Sequence, residues 1–126
     1  MAQGYTRTRS LKAIVIAASD ESTALVAGTA KVTFRMPYSM VLTAIRASVT
    51  TAQTGGTLLT IDVNSQGTTI LSTKITLDNN EKSSTSAATQ PVISNPSLPD
   101  DAEITIDIDA IGNSTAKGLK ISLIGG

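Results

Sequence analysis

The chain has 126 residues, no Cys, no His and no Trp, and its 10 basic and 10 acidic side chains cancel to a formal net charge of zero. That length makes one domain that buries about two thirds of the surface its unfolded chain exposes, so neither a disulfide nor a metal is needed to hold a core. The missing Cys removes disulfides, thiolate metal sites and thiol nucleophiles together, and the zero net charge removes any overall electrostatic case for nucleic acid or an anionic membrane. No apolar stretch approaches the length of a membrane span. No signal-peptide run is expected at the start, where residues 1–10 are polar and residues 11–18 are interrupted by Lys12.

Only Tyr5, Phe34 and Tyr38 are aromatic, so a core has to come from Ile, Val, Leu and Ala. Ser and Thr make up about a quarter of the chain, and the β-branched Thr suits a pleated strand with one wet face. The chain opens with an extended arm over residues 1–10 (MAQGYTRTRS), followed by a single β-sandwich domain over residues 11–126. Residues 11–18 (LKAIVIAA) are a short apolar run, which predicts a strand buried on both faces or at an interface. Residues 19–29 read as a loop with at most one helical turn, capped by Ser19 or Asp20. Residues 30–35 alternate with Val32 and Phe34 inward, and Met36-Pro37-Tyr38 ends that ladder because Pro has no N–H to donate.

Residues 40–50 predict a long strand with Ile45, Ala47 and Val49 on one face and Arg46 and Ser48 on the other. After a turn at 51–56, residues 57–63 predict a strand with Leu59, Ile61 and Val63 inward. Asn64-Ser65-Gln66-Gly67 reads as a hairpin turn with positive φ at Asn64 and Gly67. Residues 68–77 are then the returning strand, with Leu71, Thr73, Ile75 and Leu77 sharing a face. Residues 78–90 are a polar surface segment, Val92-Ile93 a short strand, and residues 95–101 a loop stiffened by two prolines. The strongest alternation comes last. Ile104, Ile106 and Ile108 share one face, Leu119, Ile121 and Leu123 share another, and a turn-rich stretch at 112–118 separates them. This predicts a closing hairpin of half-buried strands in which Asp107 and Asp109 oppose Lys117 and Lys120. About eight strands, with turn signals every ten or so residues, predict an all-β fold: an antiparallel two-sheet sandwich, jelly-roll-like. An immunoglobulin-like sandwich is the competing topology, and the Cys–Trp–Cys core of antibody domains is absent.

The chemistry expected of this composition is not catalytic. Ser and Thr are plentiful, but there is no His to activate them, and no local motif favours a Ser–Lys pair. Thr54-Gly55-Gly56-Thr57 is a turn and not a phosphate loop. The acidic stretches Asp78–Glu81 and Asp100-Asp101-Ala102-Glu103 carry oxygen ligands of the kind calcium takes, without an EF-hand spacing, and read as solvated loop and outer sheet face. Glycan binding is weakened by the lack of aromatic faces, since only Tyr5 and Tyr38 are available. No cofactor is expected. The candidate partner-binding residues are Tyr5, Arg7, Arg9 and Lys12, which precede the first acid, Asp20. In an extended chain Tyr5, Arg7 and Arg9 share one side, as strand addition or groove binding on an acidic surface requires.

Three segments carry a resemblance: Phe34-Arg35-Met36-Pro37-Tyr38 running on to Ser48, Ile70–Asp78 with Glu81–Thr85 after it, and Asp100-Asp101-Ala102-Glu103 running on to Asp109 and then to Gly118-Leu119-Lys120. Together they resemble segments that recur in small structural proteins of tailed bacteriophages, over nearly all of residues 31–126. The resemblance implies a jelly-roll-like virion component without catalysis, either free-standing or the C-terminal module of a fibre-like protein. No collagen-like or coiled-coil stretch accompanies this domain, and it carries its own short arm. The implied role is therefore a capsid decoration (cement) protein that bridges capsomers. Its expected partner is the major capsid protein, its expected state a homo-oligomer (a trimer ahead of a dimer), and its expected location the virion, assembled in the host cytoplasm. The alternative the resemblance leaves open is a tail-fibre or receptor-binding module that recognises host surface glycan.

Overall fold

A computed structural model describes residues 10–126, whose regular structure is eleven strands and one short 3-10 turn, Ser84–Ser86. One sheet has the order β1 (Lys12–Ala17), β11 (Lys120–Gly125), β3 (Met40–Ser48), β9 (Ser97–Leu98). The second has the order β2 (Gly28–Arg35), β10 (Glu103–Ala110), β4 (Leu59–Ser65), β5 (Thr68–Thr69), and β7 (Ile75–Leu77) pairs with β4 as well. A separate ribbon joins β6 (Leu71–Thr73) to β8 (Val92–Ile93). All these pairings are antiparallel. They nest: β1 takes β11, β2 takes β10, β3 takes β9, and β4 takes β5 and β7. The first half of the chain thus runs against the second half as one folded ribbon, rolled so that successive strands fall in opposite sheets. That is the double Greek key of a jelly roll, and the all-β two-sheet sandwich expected from the sequence is the fold observed.

The core is aliphatic. Ile104, Ile106 and Ile108 of one sheet meet Leu119, Ile121 and Leu123 from the strand and strand entry of the other, joined by Leu59, Ile61, Val63, Met40, Leu42 and Ile45. The two alternating runs that close the sequence are therefore not a hairpin. Strand β10 lies between β2 and β4, whereas β11 lies between β1 and β3. Residues 111–119 carry the chain from one sheet to the other, a gap of about 10 Å that they easily span. Asp107 and Asp109 consequently do not oppose Lys117 and Lys120. Asp109 pairs with Lys74, and Asp107 accepts from the Ala30 N–H at 2.7 Å and from the Asn64 amide at 3.0 Å. Lys120 pairs with Glu21.

Other departures have local causes. The long strand expected over 68–77 is three pieces, because Ile70 breaks the period of Leu71, Ile75 and Leu77, and both Ile70 and Leu71 are buried. The backbone kinks to achieve this. Pairing with β4 slips from Asn64↔Thr69 to Ile61↔Ile75, and β6 turns away to β8. The hairpin turn has its positive φ values at Gln66 (54°) and Gly67 (83°), not at Asn64, which stays in β4. Two adjacent left-handed residues make the two-residue turn whose twist matches an antiparallel ribbon. Strand β3 contains a bulge, with Ala44 opposite Ile124 but Leu42 opposite Gly125. The inward set accordingly changes from Met40 and Leu42 to Ile45, Ala47 and Val49, the last three as the sequence predicts. Gly125 is required there, since a Cβ would stand 2.1 Å from the Val41 carbonyl oxygen.

Ile106 and Ile121 line opposite walls of the same core, so Ile106→Ala and Ile121→Ala should each cost about 2–5 kcal/mol in a denaturant titration. Ala30 sits within β2 at φ 51°. The left-handed region strains any residue with a Cβ, so Ala30→Gly should raise stability by about 0.5–1 kcal/mol in the same measurement.

Candidate interaction surface

Strand β1 is the edge of its sheet. It was expected to be buried on both faces or at an interface, and the first alternative does not hold. Ile14 and Ile16 are half-buried against the core, while Ala13, Val15 and Ala17 are exposed. Val15 is 63% exposed and Leu11, just before the strand, 68%. These values are far above those of any core residue. The continuous apolar run that suggested double burial is thus partly an apolar surface.

Of the residues expected to bind a partner, Tyr5, Arg7 and Arg9 lie outside the described residues. Lys12 belongs to the domain and not to the arm: it is the first residue of β1, paired with Gly125. Its ammonium lies 4.7 Å from the centre of the Tyr38 ring, a cation–π contact worth about 0.5–1 kcal/mol at an exposed site. Tyr38 follows the proline break after β2 and is partly packed on the core, so it is held in place as a platform for that lysine. The sequence offers no signal for the Lys12–Tyr38 pair, because it depends on β11 lying between β1 and β3.

At the other end of β1 the chain enters an acidic loop. The Asp20 carboxylate accepts from the Thr23 N–H at 2.7 Å, the Thr23 hydroxyl at 2.9 Å and the Ser22 N–H at 3.0 Å. The Thr23 and Ser22 bonds hold its pKa below the ordinary 3.8. Glu21 bonds the Lys120 ammonium and the Thr50 hydroxyl, and these two contacts hold it below 4.5. The loop expected at 19–29 is therefore tied down by its own acids and makes no helix.

The outer face of the second sheet is polar and internally satisfied. Asp62, buried beside β5, accepts from the Val63 N–H at 2.9 Å and from the Thr69 hydroxyl. Lys74 is drawn to Asp109, which raises its pKa above 10.5, and it also lies in the field of Asp62 and Asp107. On the first sheet, a cleft of about 680 Å³ runs along β3 from Leu42 to Arg46 and is walled by Ser84, Gln90, Pro91, Val92, Ile93 and Pro96. Its polar groups serve the fold. Ser84 Oγ accepts from the Ala47 N–H at 2.9 Å, and the Gln90 amide donates to the Ala87 and Ser84 carbonyls at 2.8 and 3.0 Å. The acidic loop at 100–101 is exposed, with Asp101 3.7 Å from the Arg35 guanidinium. Among the described residues, no cluster of three or more acidic side chains is placed to hold a metal ion.

Among the described residues, β1 offers an open strand edge with an apolar outer face, a basic start and an acidic end. No protein-family model matches the chain, and neither a curated protein nor a solved structure matches it.

Both lowered carboxylates have folded values below their unfolded ones. Their contribution is complete above about pH 4.5 and is lost as the pH falls through the folded values. In an NMR pH titration, the Ser22 and Thr23 amides, which donate to Asp20, should shift together with a midpoint below 3.8, while the amides of Leu123 and Ile124, in a strand without acids, stay in place.

Proposed function

We propose that the chain is a non-catalytic virion structural protein of the capsid decoration (cement) type, attached to the major capsid protein and bridging capsomers. The carrying observation is the open edge of β1, which leads directly back into the basic segment at residues 1–10. A basic segment that precedes a strand in sequence can itself add as a strand onto another protein. Main-chain hydrogen bonds then supply affinity, and alternate side chains supply specificity. The resemblance to phage structural proteins supplies the partner. A small domain holds a lattice firmly when several copies engage at once, because each further contact is made at high effective concentration.

The tail-fibre reading has less behind it. Sugar recognition favours an open aromatic face, and the Tyr38 ring carries Lys12. The 680 Å³ cleft has no aromatic lining residue.

Purified heads should carry the protein in many copies. Location at the tail tip alone would count against the reading and for the fibre alternative. Removing residues 2–10 should leave thermal unfolding unchanged and weaken attachment to empty heads. Arg7→Ala with Arg9→Ala should do so most at low salt, the difference from the natural chain narrowing as ionic strength rises. Unchanged occupancy after the deletion would remove the arm from the mechanism.

A further inference from the structure

We propose that β1 is the contact of a two-fold homodimer, in which the strand pairs antiparallel with β1 of a second copy and Val15 lies opposite Val15. This inference stands on the strand's own geometry; it gives the edge of β1 to a second copy and leaves residues 1–10 as the segment for any capsid contact.

The backbone sets the register. The Ala18 N–H donates to the Leu119 carbonyl at 2.8 Å, with Ile16 opposite Ile121 and Ile14 opposite Leu123. In an antiparallel ladder a residue's N–H and C=O point to the same side, and that side alternates along the strand. The polar groups of Ile14 and Ile16 therefore face β11, and those of Ala13, Val15 and Ala17 face the open edge. A two-fold axis through Val15 pairs Val15 with Val15 and Ala13 with Ala17 in both directions, making about six main-chain hydrogen bonds. The same register sets Ile14 beside Ile16 of the second copy on the inner face. Both are left half-buried by the single chain. On the outer face it brings the exposed Val15 side chains together.

Chemistry selects a second copy as the occupant. Edge strands that stay single are guarded by shortness, by charged side chains (Lys above all), by proline, by a bulge, by an inward-pointing charge or by a covering segment. Strand β1 reads Lys-Ala-Ile-Val-Ile-Ala, has no proline, keeps unbroken register with β11, and has its one charge at its first residue. That charge also fixes the direction. Lys12 stands at the start of the strand, Asp20 and Glu21 follow its end, and both acids stay ionised to low pH because of their hydrogen bonds. Antiparallel self-pairing lays the basic start of each copy along the acidic end of the other, twice. A parallel arrangement would set like charges together. The strand alone buries less than the roughly 1,200 Å² of a standard stable interface, so the dimer should be reversible and its population should follow concentration.

Sedimentation velocity on the full chain should show the mass rising from 13.0 kDa towards twice that value with concentration. Val15→Lys puts two like charges on the axis at an exposed position and should leave the protein monomeric with an unchanged melting curve. Val92→Lys, at an exposed site on another ribbon, should still dimerise. The register has its own test, because the natural chain contains no cysteine. Residues directly opposite in a hydrogen-bonded pair have Cα atoms about 5.5 Å apart, within the range that a disulfide spans. Val15→Cys should therefore cross-link to a covalent dimer under oxidised glutathione, and Val92→Cys should not. A protein that is still monomeric at about millimolar concentration, where any Kd tighter than about 1 mM would show as dimer, would overturn the inference. So would a trimer, a dimer that survives Val15→Lys, or equal cross-linking of the two cysteine variants. Should Val15→Lys fail to fold, the cross-linking comparison decides.

Discussion

Strand β11 lies between β1 and β3, and Ile121 and Leu123 in it, with Leu119 just before it, press into the core against isoleucines of the opposite sheet. One strand thereby supplies the middle of a sheet, a wall of the core and the support for the first strand of the domain. The rest of the structure depends on that placement. Without it β1 has no neighbour, Lys12 has no route to Tyr38, and Glu21 loses the ammonium of Lys120. The fully buried side chains around β11 are non-aromatic, and the rings of Phe34 and Tyr38 pack only at the margin of that core. Fit among branched side chains sets the spacing of the sheets.

Nested pairing of early strands with late ones has a kinetic side. The β1–β11 ladder joins residues about as far apart in sequence as the chain allows, so its loop-closure entropy has to be met before the contact rewards it. The β4–β5 hairpin, with its tight turn at Gln66-Gly67, is the local element from which the ribbon can grow. Strand β1 pairs with β11 alone among the named strands, so its ladder needs that strand in place.

The polar face and the edge divide the surface into two kinds of territory. On the second sheet the carboxylates of Asp62, Asp107 and Asp109 are engaged by Thr69, Ala30, Asn64 and Lys74, so that face is stable, wet and self-sufficient. On the first sheet the main-chain groups of Ala13, Val15 and Ala17 and the side chain of Val15 have no such partners among the described residues. Among the described residues, a sheet edge and strongly exposed apolar side chains, Leu11 and Val15, coincide at β1.

The alternation of apolar and polar residues was enough to establish an all-β sandwich and to assign the inward face of β4, β10 and β11, because side-chain period reports the distance of each residue from a core. It also marked residues 11–18 as too apolar for an ordinary surface strand. The same period carries no information about which strand lies alongside which. Two runs separated by a turn-rich stretch look alike whether they pair with each other or face each other across the core, so the crossing between β10 and β11 was invisible. With it went every ion pair that depends on it, including Lys74–Asp109 and Lys120–Glu21. The kink at Ile70 was likewise decided by packing, since two adjacent apolar residues can both be buried only if the strand turns. Residue chemistry set what had to be inside. The tertiary fold alone chose the neighbours, because only closing the ribbon over one core determines which edge is left open.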